Sequence, residues 1–135
     1  MASILLVEDD DQLRTMLKEL LLGSGYDVSE ASSGTGVCDM YRQGHYDLII
    51  TDLVMPDIEG LGVIMELRRI DPNARIIAMS GGRLGKGEGY LRMAQKLGAQ
   101  FTLSKPFGNQ DFLEAVHLAL ETQAASDPTV DWDLP

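Results

Sequence analysis

The chain has 135 residues and a single cysteine, Cys38, so its length fits one domain with one core, and neither an intramolecular disulfide nor a cysteine-built zinc site is available. Its formal net charge of −10 makes nucleic acid a poor partner, because phosphate binding needs a basic patch. No apolar run is long enough to cross a bilayer, and no basic segment followed by an apolar stretch opens the chain, so neither a membrane partner nor a secretory signal is expected and a reducing cytoplasm fits.

In chain order, Ile4 to Val7 is a short continuous apolar run, the form of a strand covered on both faces. Leu13, Met16, Leu17, Leu20 and Leu21 then recur at helical spacing and predict one apolar stripe, with Gly23 and Gly25 ending the helix. Tyr26 to Ala31 reads as a more polar strand, suited to an edge. Gly36 to Gln43 predicts a helix with Val37, Met40 and Tyr41 on one face and Cys38 as a small buried apolar residue. Leu48 to Ile50 is a central strand that ends at Thr51-Asp52.

Gly60 to Ile70 is expected to be helical, with Leu61, Ile64, Met65 and Leu67 facing inward and Asp71-Pro72 as the stop. Ile76 to Met79 is a fourth strand, and Ser80 opens a glycine-rich loop that reaches Gly89. Glycine disfavours helix, so the next helix is placed late, from Leu91 to Leu97. Phe101 to Leu103 is the last strand. Asn109 to Thr122 is the last helix, with Phe112, Val116, Ala119 and Leu120 as its core face. Residues 124–135 carry two prolines and three aspartates after Ala125 and read as a flexible acidic tail, in which Trp132 stands out.

Strict alternation of five strands and five helices predicts an α/β fold with a doubly wound parallel sheet. In such a sheet, sites form beyond the C-terminal ends of the strands. The sequence delivers Glu8 and Asp9 there after the first strand, Asp52 after the third, Ser80 after the fourth and Lys105-Pro106 after the fifth. Three close carboxylates repel one another and need a cation to stay ionised together. Oxygen donors without His or Cys suit Mg²⁺. A carboxylate can serve as a nucleophile and form an aspartyl-phosphate. Phosphoryl transfer then asks mainly for positioning and for positive charge on the phosphoryl oxygens. Mg²⁺, Lys105 and the Ser80 hydroxyl would supply one contact to each oxygen of a phosphorylated Asp52.

The stretches Leu6-Val7-Glu8-Asp9-Asp10, Asp52 to Asp57 with Gly60, and Ser104-Lys105-Pro106-Phe107 resemble the hallmark motifs of response-regulator receiver domains of the CheY-like type, over residues 2–123. The resemblance implies a flavodoxin-like (βα)5 sheet in the order 2-1-3-4-5, a receiver spanning residues 1–123 and a tail over 124–135. It implies Asp52 as phosphoacceptor, Glu8, Asp9, Asp52 and the backbone carbonyl of Val54 as Mg²⁺ ligands, and Ser80 and Lys105 at the phosphoryl group, with a cis peptide before Pro106. It also implies a phosphohistidine donor on a sensor histidine kinase or histidine phosphotransfer protein, and a downstream protein target or an output domain beyond this chain. Such a domain is not an enzyme with its own substrate; it assists its own phosphorylation and dephosphorylation.

The sequence departs from that pattern at two places. The family usually has an aromatic residue three positions before the lysine, and here that place is Thr102, with Phe101 beside it. Successive strand residues face opposite sides, so Phe101 does not substitute for the missing ring. The segment from Ser80 to Lys105 is also longer than usual and holds Gly81, Gly82, Gly85, Gly87 and Gly89. An output that differs from the family's standard mode is expected.

Plainer readings exist for each residue alone. Asp9, Asp10 and Asp11 suit a helix N-terminus, Asp52 a turn, Lys105 and Lys86 the solvated surface, and Ser80 a glycine turn. Taken together they do not explain matching residues at four strand ends. His45 and His117 lie away from the predicted rim. A Mg²⁺-dependent aspartyl-phosphate phosphohydrolase would put a second acid two positions after the nucleophile, where Val54 stands. A flavin site would need a phosphate loop where four consecutive acids, Glu8 to Asp11, stand. A receiver-like scaffold that is never phosphorylated would not need the full residue set.

Overall fold

A computed structural model of the chain describes residues 1–53, 60–81 and 87–121. The Val54 carbonyl, Lys86, most of the glycine-rich loop, Trp132 and the expected tail lie outside the described residues.

Among the described residues, five strands and five helices alternate: β1 (Ser3–Val7), α1 (Asp11–Gly23), β2 (Asp27–Ala31), α2 (Val37–Gln43), β3 (Leu48–Asp52), α3 (Gly60–Ile70), β4 (Ile76–Ser80), α4 (Gly87–Lys96), β5 (Phe101–Ser104) and α5 (Asn109–Glu121). All four strand pairings are parallel and the sheet order is β2-β1-β3-β4-β5, as expected. Every residue of β3 and β4 is buried, while β2 holds none that is fully buried. That contrast follows from sequence: unbroken apolar runs need cover on both faces, whereas the polar run Asp27-Val28-Ser29-Glu30-Ala31 suits an edge.

Side-chain alternation splits the core into two layers. Ile4, Leu6, Leu48, Ile50, Ile77 and Met79 face α1 and α5, where they meet Leu17, Leu21, Phe112 and Val116. Leu5, Val7, Ile49, Ile76 and Ala78 face the other way, toward Val37, Ile64, Leu67 and Ala94 of α2, α3 and α4. No helix among the described residues is long and apolar enough to cross a membrane.

Several helix faces differ from expectation. On α3 the buried arc is turned by one position: Val63 is buried, and Met65 is 59% exposed. The stripe Leu61, Ile64, Leu67 leaves either neighbour free to join it, and packing against α2 and α4 selects Val63. On α1, Leu17 and Leu21 form the buried line while Met16 stays largely exposed at its margin. Cys38 is half-buried rather than buried, because it flanks the Val37 contact. Leu120 is likewise at the edge of its layer. α4 starts at Gly87, earlier than Leu91, so glycine's cost of about 1 kcal/mol in a helix does not delay it. Docking of Ala94 into the core, with no exposed surface, compensates.

Candidate functional site

The four acids after β1 divide their labour. Asp10 is the N-cap of α1, its Oδ1 accepting from the backbone N–H groups of Gln12 (3.0 Å) and Leu13 (3.1 Å). Asp11 sits in the first turn, where the helix dipole favours negative charge. Glu8 and Asp9 are left for the rim, and they part there: Glu8 has no exposed surface, and Asp9 is exposed.

Strand parity explains which side chains meet. Glu8 continues the Ile4, Leu6 line, Asp52 the Leu48, Ile50 line, and Lys105 the Phe101, Leu103 line, all on the α1 and α5 side. The Lys105 ammonium donates to Glu8 Oε1 at 2.5 Å and to Asp52 Oδ2 at 2.9 Å. Glu8 Oε2 accepts from the backbone N–H of Asp10 at 3.1 Å. One oxygen from each of Glu8, Asp9 and Asp52 lies within 4.8 Å of the others. These residues are 43 or more positions apart between strands, yet the order β1-β3 makes their strands neighbours.

Ser80 is buried at the end of β4, one position past Met79, which pairs with Asp52. Its carbonyl accepts from the backbone N–H of Lys105 at 2.8 Å, which stitches the Lys105 loop to the end of β4. The Lys105–Pro106 peptide is cis, as expected. Thr102 pairs with Ala78 on the α3 and α4 face, while Phe101 pairs with Ile77 and packs toward α1 and α5. The aromatic ring therefore stands on the side opposite to the position it would have to replace. His117 sits on α5 beside Glu121, and His45 is exposed, both away from the rim.

The electrostatics follow from burial. Glu8 is pushed up to about 7, first by burial and also by the Asp52 charge, against the opposing hydrogen bond from Lys105. For Lys105, burial acts downward, but its bonds to Glu8 and Asp52 outweigh it and raise the ammonium above its ordinary value. A raised carboxyl favours the protonated folded form, so its stabilising contribution is complete below an ordinary glutamate pKa and disappears as pH rises through about 7. The unfolding free energy of the metal-free protein, read by urea denaturation, should therefore fall between pH 5 and pH 8, by at most about 3 kcal/mol. Glu30 and Glu66 are held low, Glu30 by Lys18 and Arg14 and Glu66 by Arg69, so their contribution to stability grows with rising pH, opposite in sign to the decline set by Glu8. A divalent cation binds the ionised carboxylates and should flatten the decline; a flat metal-free profile would contradict the assignment.

Two groups escaped sequence reading. Arg14 donates Nη1 to the Glu8 carbonyl at 2.8 Å, Nε to Glu30 at 3.0 Å and Nη2 to Asp11 at 2.6 Å. Thr51, fully buried, donates its hydroxyl to the Asp52 carbonyl at 3.1 Å. Helical spacing signals only the Arg14–Asp11 pair; the bonds to the Glu8 and Asp52 carbonyls leave no mark in it. Beside Lys105 lies a groove of about 770 Å³ walled by Leu13, Met16, Gly81, Pro106 and Phe107.

Comparison with known proteins agrees with this geometry. The family model for the response regulator receiver domain matches residues 4–117. The chemotaxis protein CheY of Thermotoga maritima is 34% identical over 115 residues, covering 84% of this chain and 93% of its own. The DNA-binding transcriptional regulator NtrC of Azospirillum brasilense is 36% identical over 124 residues, which are 90% of this chain but 24% of that protein. Among solved structures, a response regulator receiver domain protein from Clostridium thermocellum has a TM-score of 0.81 at 30% identity, covering 90% of this chain and 95% of its own. With its fold, strand order and clustered acids all in agreement, the chain belongs to the receiver-domain family of two-component response regulators.

Proposed function

We propose that Asp52 is the phosphoacceptor of this receiver, and that its phosphorylation depends on Mg²⁺ held by Glu8, Asp9, Asp52 and the Val54 carbonyl. The single observation that carries the reading is the convergence of Glu8, Asp9 and Asp52 around one point, with Lys105 bonded to two of them. The donor set is oxygen only, which fits a hard divalent cation. The response regulator TrrA of Thermotoga maritima, solved in complex with Mg²⁺ and BeF, is similar in fold to this chain, with a TM-score of 0.77 at 30% identity.

A carboxylate oxygen of Asp52 attacks the phosphorus of a phosphohistidine, an O–P bond forms, the P–N bond breaks, and the imidazole leaves with a proton. When bound, the cation supplies positive charge to a phosphoryl oxygen. Lys105 holds Asp52 and Glu8 in place beforehand and can turn its ammonium to a second oxygen. Ser80 offers its hydroxyl to the third from the end of β4. The same arrangement lets the domain assist hydrolysis of its own aspartyl-phosphate.

The donor is a sensor histidine kinase or histidine phosphotransfer protein. The sensor kinase CckA of Brucella abortus shares 33% identity with this chain over 124 residues, so receivers of this type also occur within kinases. Residues 1–123 act as the receiver and 124–135 as an appended tail. The displaced Phe101 and the threonine at position 102 support an output that does not use the family's aromatic switch.

The test is chemical. The full chain is incubated with a small-molecule phosphodonor and Mg²⁺, then reduced with borohydride, which converts an aspartyl-phosphate to homoserine. Homoserine at position 52, and only with Mg²⁺ present, is the expected result. Conversion elsewhere, or none, would overturn the assignment.

A further inference from the structure

We propose that Arg14 is a positioning residue for the acid pair: its guanidinium locks the turn between β1 and α1 and thereby sets the domain's affinity for a divalent cation. This rests on the metal-site reading above and goes further by assigning a residue outside the rim.

Glu8 is held at every polar point it has. Its N–H donates to the Ala31 carbonyl of β2 at 3.0 Å, and its carbonyl accepts from Arg14 Nη1 at 2.8 Å. Its two carboxylate oxygens are occupied by Lys105 and by the Asp10 N–H. The carbonyl bond matters most for Asp9. The Glu8 carbonyl lies in the peptide plane that also carries the Asp9 N–H, so fixing one fixes the starting direction of the next residue. Asp9 itself is exposed, unlike the buried Glu8 before it.

Arg14 is equipped for this task. Its side chain is only 14% exposed although it lies on a surface helix. Its planar fork spans three separate pieces of chain: the Glu8 carbonyl, Glu30 on the edge strand and Asp11 in its own first turn. Lys18 grips the other oxygen of Glu30 at 2.5 Å, so Glu30 cannot swing away. A lysine in place of Arg14 offers a point charge and cannot reach three partners in one plane. Outer groups that orient metal-binding residues commonly change affinity strongly when removed.

The experiment measures Mg²⁺ and Mn²⁺ binding to the full chain by calorimetry, together with the rate of labelling by a small phosphodonor across metal concentrations. Arg14→Met should raise the cation Kd about tenfold or more, while the labelling rate at saturating metal stays within about twofold of wild type. Arg14→Lys should fall between the two. Leu21→Val, which loosens the packing of α1 without touching the guanidinium, should lower the urea midpoint and leave the Kd unchanged; it separates positioning from stability. An unchanged Kd in folded Arg14→Met and Arg14→Lys overturns the proposal, as does an equal loss of affinity in Leu21→Val. Cation binding that survives Asp9→Asn unaltered would instead overturn the metal-site reading beneath it.

Discussion

Asp52→Asn should abolish borohydride-trappable labelling and, at the same time, make the metal-free protein more stable. The first effect follows from chemistry. An amide lacks the nucleophilic oxygen of a carboxylate, so the acyl-phosphate cannot form. The second follows from charge. Asp52 is almost fully buried and shares the rim with Glu8 and Asp9, while Lys105 is the cation bonded there. The Asp52 charge helps to push Glu8 upward. Removing it lets Lys105 serve Glu8 alone and should raise stability at pH 7.5 by about 1 kcal/mol. Urea denaturation without metal reads this directly, and the stabilisation by added Mg²⁺ should shrink in the variant. A lower midpoint would mean that the Lys105–Asp52 bond matters more than carboxylate repulsion. Labelling equal to wild type would remove Asp52 from the chemistry.

Lys105→Met should slow labelling by about 10²- to 10³-fold, the usual cost of losing one donor to developing charge. It should also bind Mg²⁺ more tightly. The lysine and the cation neutralise the same carboxylates, since Lys105 Nζ contacts both Glu8 and Asp52. Without the ammonium, Glu8 loses the largest contribution that holds its pKa down and keeps only the Asp10 N–H bond, so its titration should move above 7. The metal-free variant should then lose stability with rising pH over a higher window than wild type. Slower chemistry with tighter metal is a pattern that general loosening of the site does not produce. Weaker Mg²⁺ binding in this variant would show that the lysine organises the carboxylates rather than competing for them.

Much of the site was legible because its residues stand at strand ends. Glu8, Asp52 and Lys105 each follow an apolar strand, and a parallel sheet gathers such positions at one edge. The cap at Asp10 was legible as one of three candidates, but which acid would cap was not. That choice depends on where β1 ends, and Glu8 is taken up by Lys105, just past the end of β5, which the local sequence cannot see.

The sequence by itself determined the order and type of the ten elements, the polar edge strand and the identity of the rim residues, since strand runs and helical periods are written in neighbouring side chains. Only the tertiary structure decided that Glu8 goes in and Asp9 stays out, that Val63 rather than Met65 faces the core, and that Arg14 reaches back to the Glu8 carbonyl. Each of those outcomes depends on what another element places opposite, and burial and hydrogen bonding to distant backbone leave no mark in local spacing.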